Sequence, residues 1–518
     1  NKVKCIIIDP PYNTGSDSFI YPDRFSEKKE EYLKRIGDKD EEGYLMKEGL
    51  FRKNSKDSGH FHSNWLSMMY PRLFLAKNLL RDDGVIFVHI DDNEVHNLRM
   101  VMNEIFGEEN FICQFIWKSR LSEDNRNISG ASIDHEYILC FQKANAKLFG
   151  TDKDLNKFSN PDNDPRGPWR SADLTGLLTK DLRPNCHYDL VNPETGFVYK
   201  CPPKGWRFEP KTMAEKIKEK RILWPDAPEG RPRHKLFMNE MASLKKNISS
   251  LIVDVSTLDG SKEVAELFGP GLFSFPKPHK LTKILCDQVV DKDDIVLDFF
   301  GGSGTTAQAV LELNKEDGGN RKFILVQLPE KCDEKSEAFK AGYKTIADIA
   351  KERIRRVIKK IEKEKTEKPD LFDNGNLDLG FKAFKLSSSS FKIWRSQEIT
   401  EENLEQQLDA FTNPTRPGAE KQNMLYELML KAGCELTSPV QYIKLNKAKG
   451  NAGAGYYSIN NNELIIALDA VNDKLVEQII AAKPQKVITL DSLFTGNDQL
   501  KTNTVLQMRD AGVDFKTI

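Results

Sequence analysis

No apolar run in the sequence approaches the roughly 20 residues that a membrane-spanning helix needs. The eight cysteines include no CxxC pair and no even framework, which favours reduced thiols in a cytoplasmic protein. Neither sign of charge is in excess, since the formal net charge is -1. These absences argue against a membrane protein and a disulfide scaffold, but a basic face on one part of the surface remains compatible with the composition.

The sequence also lacks a recognisable metal site and a signal peptide. Cys186, His187 and Cys201 fit no common zinc spacing and have no fourth ligand, so we expect no metal. The first ten residues already have the pattern of a buried strand, which excludes a signal peptide there. The chain does not begin with methionine, and a strand at its very first residues predicts a further segment upstream.

The length of 518 residues allows two to four domains, and 39% hydrophobic with 30% charged residues is typical of a folded protein. Strands and helices alternate in residues 1–149 and again in 271–368, which predicts an α/β fold with one Rossmann-like parallel sheet. Residues 150–270 lack this rhythm and are interpreted as an inserted domain. Residues 369–518 are expected to form a C-terminal α/β domain.

Individual elements follow from the apolar periodicity. The run CIIIDPP predicts a strand that two prolines end. Residues 22–62 are polar and predict a long flexible loop, followed by a helix from Asn64 that ends at the sequence DDG. Further along, the apolar face of a long helix runs from Phe339 to Ile361, and its charged end is interpreted as a linker. The sequence YYSINNNELIIAL predicts a hairpin.

Two loops carry residue types suited to chemistry, and both follow predicted parallel strands at their carboxyl ends, where open α/β sheets bind ligands. The first is Asp9-Pro10-Pro11-Tyr12. The second is LDFFGGSGTTAQA at residues 297–309, whose glycines let the backbone approach a ligand at the start of a helix. Alone, this loop also satisfies the GxGxxG/A dinucleotide pattern, with Glu330 as a candidate ribose partner. A nicotinamide or flavin cofactor therefore remains open from the loop by itself.

Together, the two loops resemble those of the amino-methyltransferases of DNA, in which an FxGxG loop binds S-adenosylmethionine and a DPPY loop holds the target base. The order, with the catalytic loop first, is similar to the beta class of that family. The segment FSFPKPHKL resembles a further cofactor segment of the family. The resemblance implies a Rossmann-like S-adenosylmethionine-dependent methyltransferase sheet whose cofactor-binding residues are Phe275, Lys277, Asp298, Phe300, Gly302, Ser303, Gly304, Thr305, Gln327 and Glu330.

One position departs from the family pattern. The family usually places an acidic residue at the end of the strand after the glycine loop, where it holds the ribose hydroxyls. Here Gln327 occupies that position and Glu330 lies three residues further on. An amide can also donate and accept hydrogen bonds, so cofactor binding remains expected, with the ribose contact unassigned between these two residues.

The flanking segments resemble the modification subunits of Type III restriction-modification systems over roughly residues 1–365. They comprise DPPYNTG, HIDDNE, DPRGPWR, IADIAKERIRRVI and the spaced residues Phe19, Tyr21, Asp23 and Phe25. The resemblance implies double-stranded DNA as substrate, a homodimer, and a separate helicase-nuclease restriction subunit as partner. The C-terminal domain would then serve in dimer or partner docking.

The residues of the first loop suit methyl transfer to an exocyclic amine, which is a weak nucleophile because its lone pair is delocalised into the ring. Asp9 can accept one N–H, and the Pro10 carbonyl, held rigid by Pro11, can accept the other. The carboxylate stabilises the positive charge that develops on nitrogen. The base has to leave the duplex, and stacking on Tyr12 recovers part of that cost. In the family, Asp at the first position goes with adenine N6, so we expect adenine.

Basic residues outnumber acidic ones between residues 180 and 246, where Trp206, Phe208 and Trp224 are interleaved with them. We interpret this region as the part that reads the DNA sequence, with its aromatic residues supporting distorted DNA. The expected DNA contacts are Lys118, Arg120, Lys180, Arg183, Arg231 and Arg233.

Several alternatives remain open at this point. A nicotinamide oxidoreductase would use the same glycine loop but leaves the DPPY sequence unexplained. A stand-alone DNA methyltransferase without a restriction partner and an inactive DNA-binding assembly subunit are the others. His89, Asp91 and Asp92, which close a predicted strand, are equally compatible with capping a loop and with catalysis.

Overall fold

The computed structural model describes residues 2–15, 20–21, 52–53, 59–124, 130–227, 229–241, 243–273, 275–367, 377–392, 404–405, 408, 414–445 and 454–518. The chain divides into two compact units, Asn1–Leu379 and Gly380–Ile518. Each unit has its own hydrophobic core. In these described ranges, no helix is both long and apolar enough to cross a membrane.

The first unit alternates strands and helices along the chain. Its strands are β1 (Val3–Ile8), β2 (Ile20–Tyr21), β3 (Arg52–Lys53), β4 (Leu80–Ile90), β5 (Phe111–Lys118), β6 (His135–Gln142), β7 (Thr151–Asp152), β8 (Trp169–Asp173), β9 (Leu190–Val191), β10 (Val198–Tyr199), β11 (Ile222–Leu223), β12 (Arg233–Phe237), β13 (Lys245–Lys246), β14 (Leu251–Ile252), β15 (Ile295–Asp298) and β16 (Lys322–Leu325). Its helices are α1 (Phe61–Leu79), α2 (Val95–Phe106), α3 (Pro210–Lys218), α4 (Thr257–Phe268), α5 (His279–Cys286), α6 (Thr305–Asp317), α7 (Glu337–Lys340) and α8 (Ile346–Glu367). Short 3-10 turns lie at Glu108–Asn110, Leu155–Lys157, Pro184–Cys186 and Met238–Glu240.

A seven-stranded sheet in the order β14-β5-β6-β4-β1-β15-β16 organises this unit. Its strands run parallel except for β6, which is antiparallel to β4 and β5. Along β1, Ile6 and Ile8 join the core beneath α1 and α2, whereas Cys5 and Ile7 join the core beneath α5 and α6. The sheet is therefore the middle of three layers, and the predicted α/β fold is confirmed.

The strand register decides which loops meet. Ile6 in β1 pairs with Ile86 in β4 and with Leu297 in β15, so these three parallel strands end at the same edge of the sheet. Because β6 runs the opposite way, its first residues reach that edge too. There Glu136 pairs with Trp117 near the end of β5. One edge of the sheet thus collects the loops that follow β1, β4, β5 and β15, together with the beginning of β6.

Most of residues 150–246 folds apart from this sheet. A small antiparallel sheet in the order β11-β12-β8 and helix α3 surround a core that contains Trp206. The indole N–H of Trp206 donates to the Tyr188 carbonyl oxygen at 2.7 Å, and Trp224 stacks on Tyr199 with ring centroids 5.6 Å apart. Because Trp206 is only 3% exposed, the prediction that it supports distorted DNA is wrong. Its bulk forms the core of the insertion instead.

The insertion ends earlier than the predicted boundary at residue 270. Strand β14 already pairs in parallel with β5 of the seven-stranded sheet. Helix α4 then begins with a capping box, in which Ser256 and Asp259 exchange side-chain and backbone hydrogen bonds. The composition of this stretch is irregular and gives little periodic signal in the sequence. Its pairing with β5 nevertheless makes it part of the sheet.

The second unit is a five-stranded sheet in the order β17-β18-β19-β20-β21 with helices packed against it. Its hairpin between β18 and β19 confirms the predicted one, and Asn460, Asn461 and Asn462 in the turn adopt positive φ angles that asparagine tolerates. The elements are β17 (Val440–Lys444), β18 (Gly455–Ile459), β19 (Leu464–Ala467), β20 (Lys486–Thr489), β21 (Asp514–Thr517), α9 (Lys421–Lys431), α10 (Asp473–Ala481), α11 (Asp498–Asp510) and a 3-10 turn at Asp491–Phe494.

Three local predictions need correction. Strand β4 begins at Leu80, so the sequence DDG lies within a strand instead of ending a helix. The predicted long helix is two helices, α7 and α8, separated by a turn. The charged segment interpreted as a linker remains helical to Glu367, because Ile361 is fully buried and extends the apolar face of α8. The predicted loop at residues 22–62 falls mostly outside the described residues, as do Phe19, Asp23 and Phe25.

Two leucines of α1 test the assignment of the buried face. Leu73 is fully buried in the core beneath α1 and α2, whereas Leu75 is 61% exposed. We expect Leu73→Ala to lower the free energy of unfolding by about 2–5 kcal/mol, since it leaves a cavity. Leu75→Ala is the matched control, with an expected effect within about 0.5 kcal/mol. Urea denaturation followed by tryptophan fluorescence measures both, and equal effects would contradict this packing.

Candidate functional site

The DPPY loop begins directly after β1 and is anchored from behind. The indole N–H of Trp65 in α1 donates to the Pro11 carbonyl oxygen at 2.7 Å. Asn13 is buried in the left-handed region at φ 59° and donates from its side chain to Glu94 at 2.5 Å. The fully buried Glu94 carboxylate also accepts from Asn97 at 2.7 Å and lies 2.6 Å from a ring nitrogen of His62. These contacts fix the loop backbone against α1 and α2.

Charged groups meet on the other side of the loop. The Lys277 ammonium nitrogen lies 3.3 Å from Asp9 Oδ1 and 3.0 Å from Glu136 Oε2. The Tyr12 hydroxyl donates to the same Glu136 oxygen at 2.7 Å. Burial, with the negative charges of Asp9 and Glu136, raises the pKa of Tyr12 well above its usual value, so the phenol stays neutral. Burial alone would lower the pKa of Lys277, but the two carboxylates outweigh it and raise the pKa, so the ammonium stays charged.

Aromatic rings border this charged cluster. The Lys277 ammonium lies 4.7 Å from the centroid of the Tyr12 ring and 5.5 Å from that of Trp117. His89 meets Trp117 edge to face, with ring centroids 6.5 Å apart. Burial, together with the positive charge of Lys277, lowers the pKa of His89 to about 3. A neutral imidazole therefore stands at the end of β4.

The two aspartates after β4 are engaged locally. Asp91 accepts hydrogen bonds from the backbone and the side chain of Asn93 at 2.9 and 2.8 Å. Asp92 accepts from the Tyr137 hydroxyl at 2.8 Å. Of the two predicted roles, these contacts favour capping of the loop over catalysis for both residues.

The glycine loop after β15 is braced by the residue at its start. Asp298 accepts from the backbone N–H of Phe300 at 2.9 Å and from the Thr306 hydroxyl at 2.7 Å. Burial raises the pKa of Asp298 to about 7, although both hydrogen bonds act in the opposite direction. Its carboxyl group thus holds the loop to the first turn of α6.

Gly304 shows why this loop requires glycine. It is the residue that precedes α6, its φ is 84°, and a Cβ there would lie 3.3 Å from the Ala350 carbonyl oxygen. A side chain would be both strained and crowded at that position. Glycine therefore lets the loop pack closely against α8. The N-terminus of α6 that follows is a favourable position for an anionic group such as the carboxylate of a cofactor.

A buried arginine of α8 also holds the glycine loop. Arg353 in α8 is fully buried and donates to Ser303 Oγ at 2.7 Å, Thr305 Oγ1 at 2.9 Å and Gln308 Oε1 at 2.9 Å. Burial lowers the pKa of Arg353 to about 10, and the nearby Glu263 opposes this. The predicted cofactor residues Ser303 and Thr305 therefore point their side chains into the protein, which leaves only their backbone groups for a cofactor.

The segment that follows β16 also contacts the glycine loop. Gln327 Oε1 accepts from the Gly302 N–H at 2.7 Å, so the amide that replaces the family's acidic residue lies directly at the loop. Glu330 is half-buried, and burial raises the pKa of its carboxyl group. Phe275, predicted to bind the cofactor, is 87% exposed at φ 52°. Its neighbour Lys277 reaches the DPPY loop, so this segment links the two predicted loops.

The predicted DNA contacts lie at the surface. Lys118 is exposed at the end of β5, and Arg120 forms an ion pair with Asp124 at 2.6 Å. Arg233 donates to Ser171 Oγ at 2.6 Å across the small sheet of the insertion. Lys180, Arg183 and Arg231 are exposed as well. In the part of the chain that the structure describes, no three potential ligands form a metal cluster.

Four residues of the site escaped the sequence analysis, namely Trp65, Glu94, Glu136 and Arg353. Each lies far along the chain from the loop that it contacts. Glu136 and Arg353 have a detectable signal, since each is a charged residue at the start of, or within, an apolar pattern. Burial of such a residue requires a partner, but the sequence does not say which one.

The chain is similar to proteins of one family. Residues 3–337 match the family model described as DNA methylase. The Mod subunit of the Type III restriction-modification enzyme StyLTI of Salmonella typhimurium is 37% identical, over 79% of this chain and 62% of the relative. The EcoP15I Mod subunit of Escherichia coli is 32% identical, over 98% of this chain and 80% of the relative. The Type II methyltransferase M.KpnI of Klebsiella pneumoniae is 33% identical, over 67% of this chain and 80% of the relative. The chain thus spans less than two thirds of the Salmonella relative.

The raised pKa of Asp298 gives a testable pH dependence. An unfolded aspartate titrates near 3.9, so the folded state binds this proton more tightly, and stability falls as pH rises from about 4 to about 7. We expect Asp298→Asn to remove this component, so the difference in unfolding free energy between the unsubstituted protein and the variant declines by about 1.4 kcal/mol per pH unit in that window.

Asp83→Asn is the control for this measurement. Arg81 and Lys4 hold the pKa of Asp83 below its usual value, so its titration lies below the window. Urea denaturation between about pH 4.5 and 7.5 is expected to show no slope in the corresponding difference for Asp83→Asn. A flat difference for Asp298→Asn as well would contradict the assignment.

Proposed function

The chain belongs to the DNA methylase family, and from that premise we propose that it methylates the exocyclic N6 amine of a flipped-out adenine in double-stranded DNA. The observation that carries the proposal is the convergence of two loops. The DPPY loop and the glycine loop follow the neighbouring parallel strands β1 and β15 and lie at one edge of the sheet. The family match spans both loops, which excludes the nicotinamide alternative.

S-adenosylmethionine is the methyl donor and supplies an activated methyl group on a sulfonium. The glycine loop, which includes Phe300 and is bonded to Gln327 through the Gly302 N–H, is the proposed binding site for this cofactor at the start of α6. Phe300 packs with Phe299 at the edge of the core and offers an apolar surface. Of the two candidates for the ribose, Gln327 is favoured because it already contacts the loop.

Asp9 and the Pro10 carbonyl accept the two hydrogens of the target amine, which makes its lone pair available. The Asp9 carboxylate then stabilises the positive charge that develops on nitrogen. Tyr12 stacks on the flipped base, in a contact worth roughly 1–3 kcal/mol. The adenine assignment follows from aspartate at the first position of the loop, as in the resemblance described above.

The setting is proposed to be a Type III restriction-modification system. The E. coli Mod relative aligns with 98% of this chain and therefore includes the second unit, whereas the Type II relative aligns with 67%. This difference favours a modification subunit over the stand-alone alternative. In that setting the chain acts in the cytoplasm as a homodimer with a helicase-nuclease restriction subunit, and residues 380–518 supply docking contacts.

Sequence reading is assigned to the insertion at residues 150–246, as part of the same proposal. It folds separately from the catalytic sheet, and its exposed basic residues are available for phosphates and base edges. Trp206 is excluded from a DNA contact because it is buried.

The loop chemistry is tested by methyl transfer from labelled S-adenosylmethionine to duplex DNA. We expect Asp9→Ala to lower turnover by about 100-fold or more, because it removes the acceptor and the charge that stabilises the transition state. Asp9→Asn keeps an oxygen acceptor and lacks the charge, so it separates the two effects. Tyr12→Ala is expected to weaken mainly the stacking of the base. Near-normal turnover in the Asp9→Ala variant would contradict this mechanism.

The DNA-reading region is tested by replacing Lys180, Arg183, Arg231 and Arg233 together by glutamine. We expect weaker DNA binding, and a slope of log affinity against log salt that is less steep by about 0.9 for each lost phosphate contact. Lys200→Gln is the matched control, because Lys200 is already paired with Asp189 at 2.8 Å. Fluorescence anisotropy at several salt concentrations measures both, and an unchanged slope in the fourfold variant would count against this region.

A further inference from the structure

Glu136 reaches the site through the one antiparallel strand of the seven-stranded sheet. It is the second residue of β6, and it pairs with Trp117 at the end of β5. At this edge of the sheet all other described strands contribute their carboxyl ends, and β6 contributes its beginning. The position of Glu136 is therefore fixed by the sheet itself and not by a mobile loop.

One carboxylate oxygen of Glu136 serves two partners of the DPPY site. It accepts the Tyr12 hydroxyl at 2.7 Å and lies 3.0 Å from the Lys277 ammonium nitrogen, which is 3.3 Å from Asp9. The side chains of Glu136 and Lys277 are only 17% and 15% exposed. Hydrogen bonds to charged groups are stronger in such a setting than in water, and a group left without its partner there is costly.

We propose that Glu136 is a positioning residue of the methyl-transfer site, which acts by holding the Tyr12 ring and, through Lys277, the Asp9 carboxylate. This inference rests on the proposed function. The Tyr12 hydroxyl is the only polar handle on that ring, so its bond to Glu136 sets the direction in which the ring faces a stacked base. Lys277 couples the same carboxylate to the group that accepts the target amine.

Glu136 also affects the site through the net charge of the cluster that it forms with Asp9 and Lys277. Asp9 and Glu136 are two carboxylates around one ammonium, so the cluster carries a net charge of about -1. That sign is complementary to the positive charge that develops on the methylated amine. Loss of Glu136 removes this excess of negative charge, whereas loss of Lys277 leaves two carboxylates facing each other without their shared cation.

The first experiment is a double-mutant cycle on turnover at saturating S-adenosylmethionine. We expect Glu136→Ala to lower kcat by about 10- to 100-fold, because the misplacement of reacting groups is costly. Tyr12→Phe keeps the ring and removes the hydroxyl. If Glu136 acts through that hydroxyl, the double variant Tyr12→Phe/Glu136→Ala loses less than the product of the two single losses.

Fluorescence of 2-aminopurine, placed at the target adenine of a duplex that the unsubstituted protein methylates, reports base extrusion separately. We expect Glu136→Ala to change the 2-aminopurine fluorescence, because a displaced Tyr12 ring stacks on the extruded base and quenches it to a different extent, while the binding constant of S-adenosylmethionine changes by less than about threefold. A residue that merely stabilises the fold would leave this signal unchanged. Asp83→Asn breaks an ion pair at the other end of β1 and is the control.

The second experiment uses a rescue. Lys277→Met is expected to lower kcat, because Asp9 and Glu136 then face each other without their shared cation. Adding Glu136→Gln restores the net charge of the cluster and keeps an oxygen acceptor for the Tyr12 hydroxyl, so the double variant is expected to regain activity.

The outcomes separate this inference from the proposed function. If the unsubstituted protein transfers no methyl group to DNA, the proposed function itself fails. If it does transfer methyl groups, then a kcat for Glu136→Ala within about twofold of the unsubstituted protein overturns the positioning role. Purely multiplicative losses in the Tyr12 cycle, or a Lys277→Met/Glu136→Gln variant that is less active than Lys277→Met, also overturn it.

Discussion

The parallel pairing of β1 with β4 and β15 is the constraint on which both loops depend. All six residues of β1 are buried, with alternate side chains in opposite layers. A slip of one residue would exchange the layers of Ile6 and Ile7 and move Asp9 by about 3.3 Å along the sheet. The packing of both cores therefore sets the separation between the DPPY loop and the glycine loop, which are far apart in the sequence. The loops need no direct attraction for each other.

A loop that contains two successive prolines has to be anchored in an unusual way. Proline has no backbone N–H, so Pro10 and Pro11 cannot donate to the surrounding structure. The loop is held instead through the carbonyl oxygen of Pro11 and through the side chain of Asn13. Trp65 donates to the Pro11 carbonyl, and the buried Glu94 accepts from the side chain of Asn13. The rigid prolines limit the freedom of the backbone, and these two contacts hold the loop on the side opposite the Asp9–Lys277 ion pair.

The sequence predicted the fold class, the two loops, the hairpin of the second unit and the strands that place the loops. Those features depend on local patterns, such as apolar runs ended by Pro or Gly. It did not predict that Arg353 braces the glycine loop or that Glu136 meets Tyr12, because both contacts join segments that are distant along the chain. It also misjudged Trp206, since an aromatic residue among lysines and arginines has the same local pattern whether it packs a small core or contacts DNA.

Burial divides the titratable groups around the site into charged and neutral ones. The pKa of His89 is lowered to about 3, that of Asp298 is raised to about 7, and that of Tyr12 is raised well above its usual value. Each of these shifts disfavours the ionised form, so His89 and Tyr12 are neutral at neutral pH, and Asp298 becomes largely neutral as the pH falls below 7. Beside these neutral groups, Lys277 forms ion pairs with Asp9 and Glu136. In the proposed reaction the Asp9 carboxylate, which is 36% exposed beside this cluster, stabilises the positive charge that develops on the target amine.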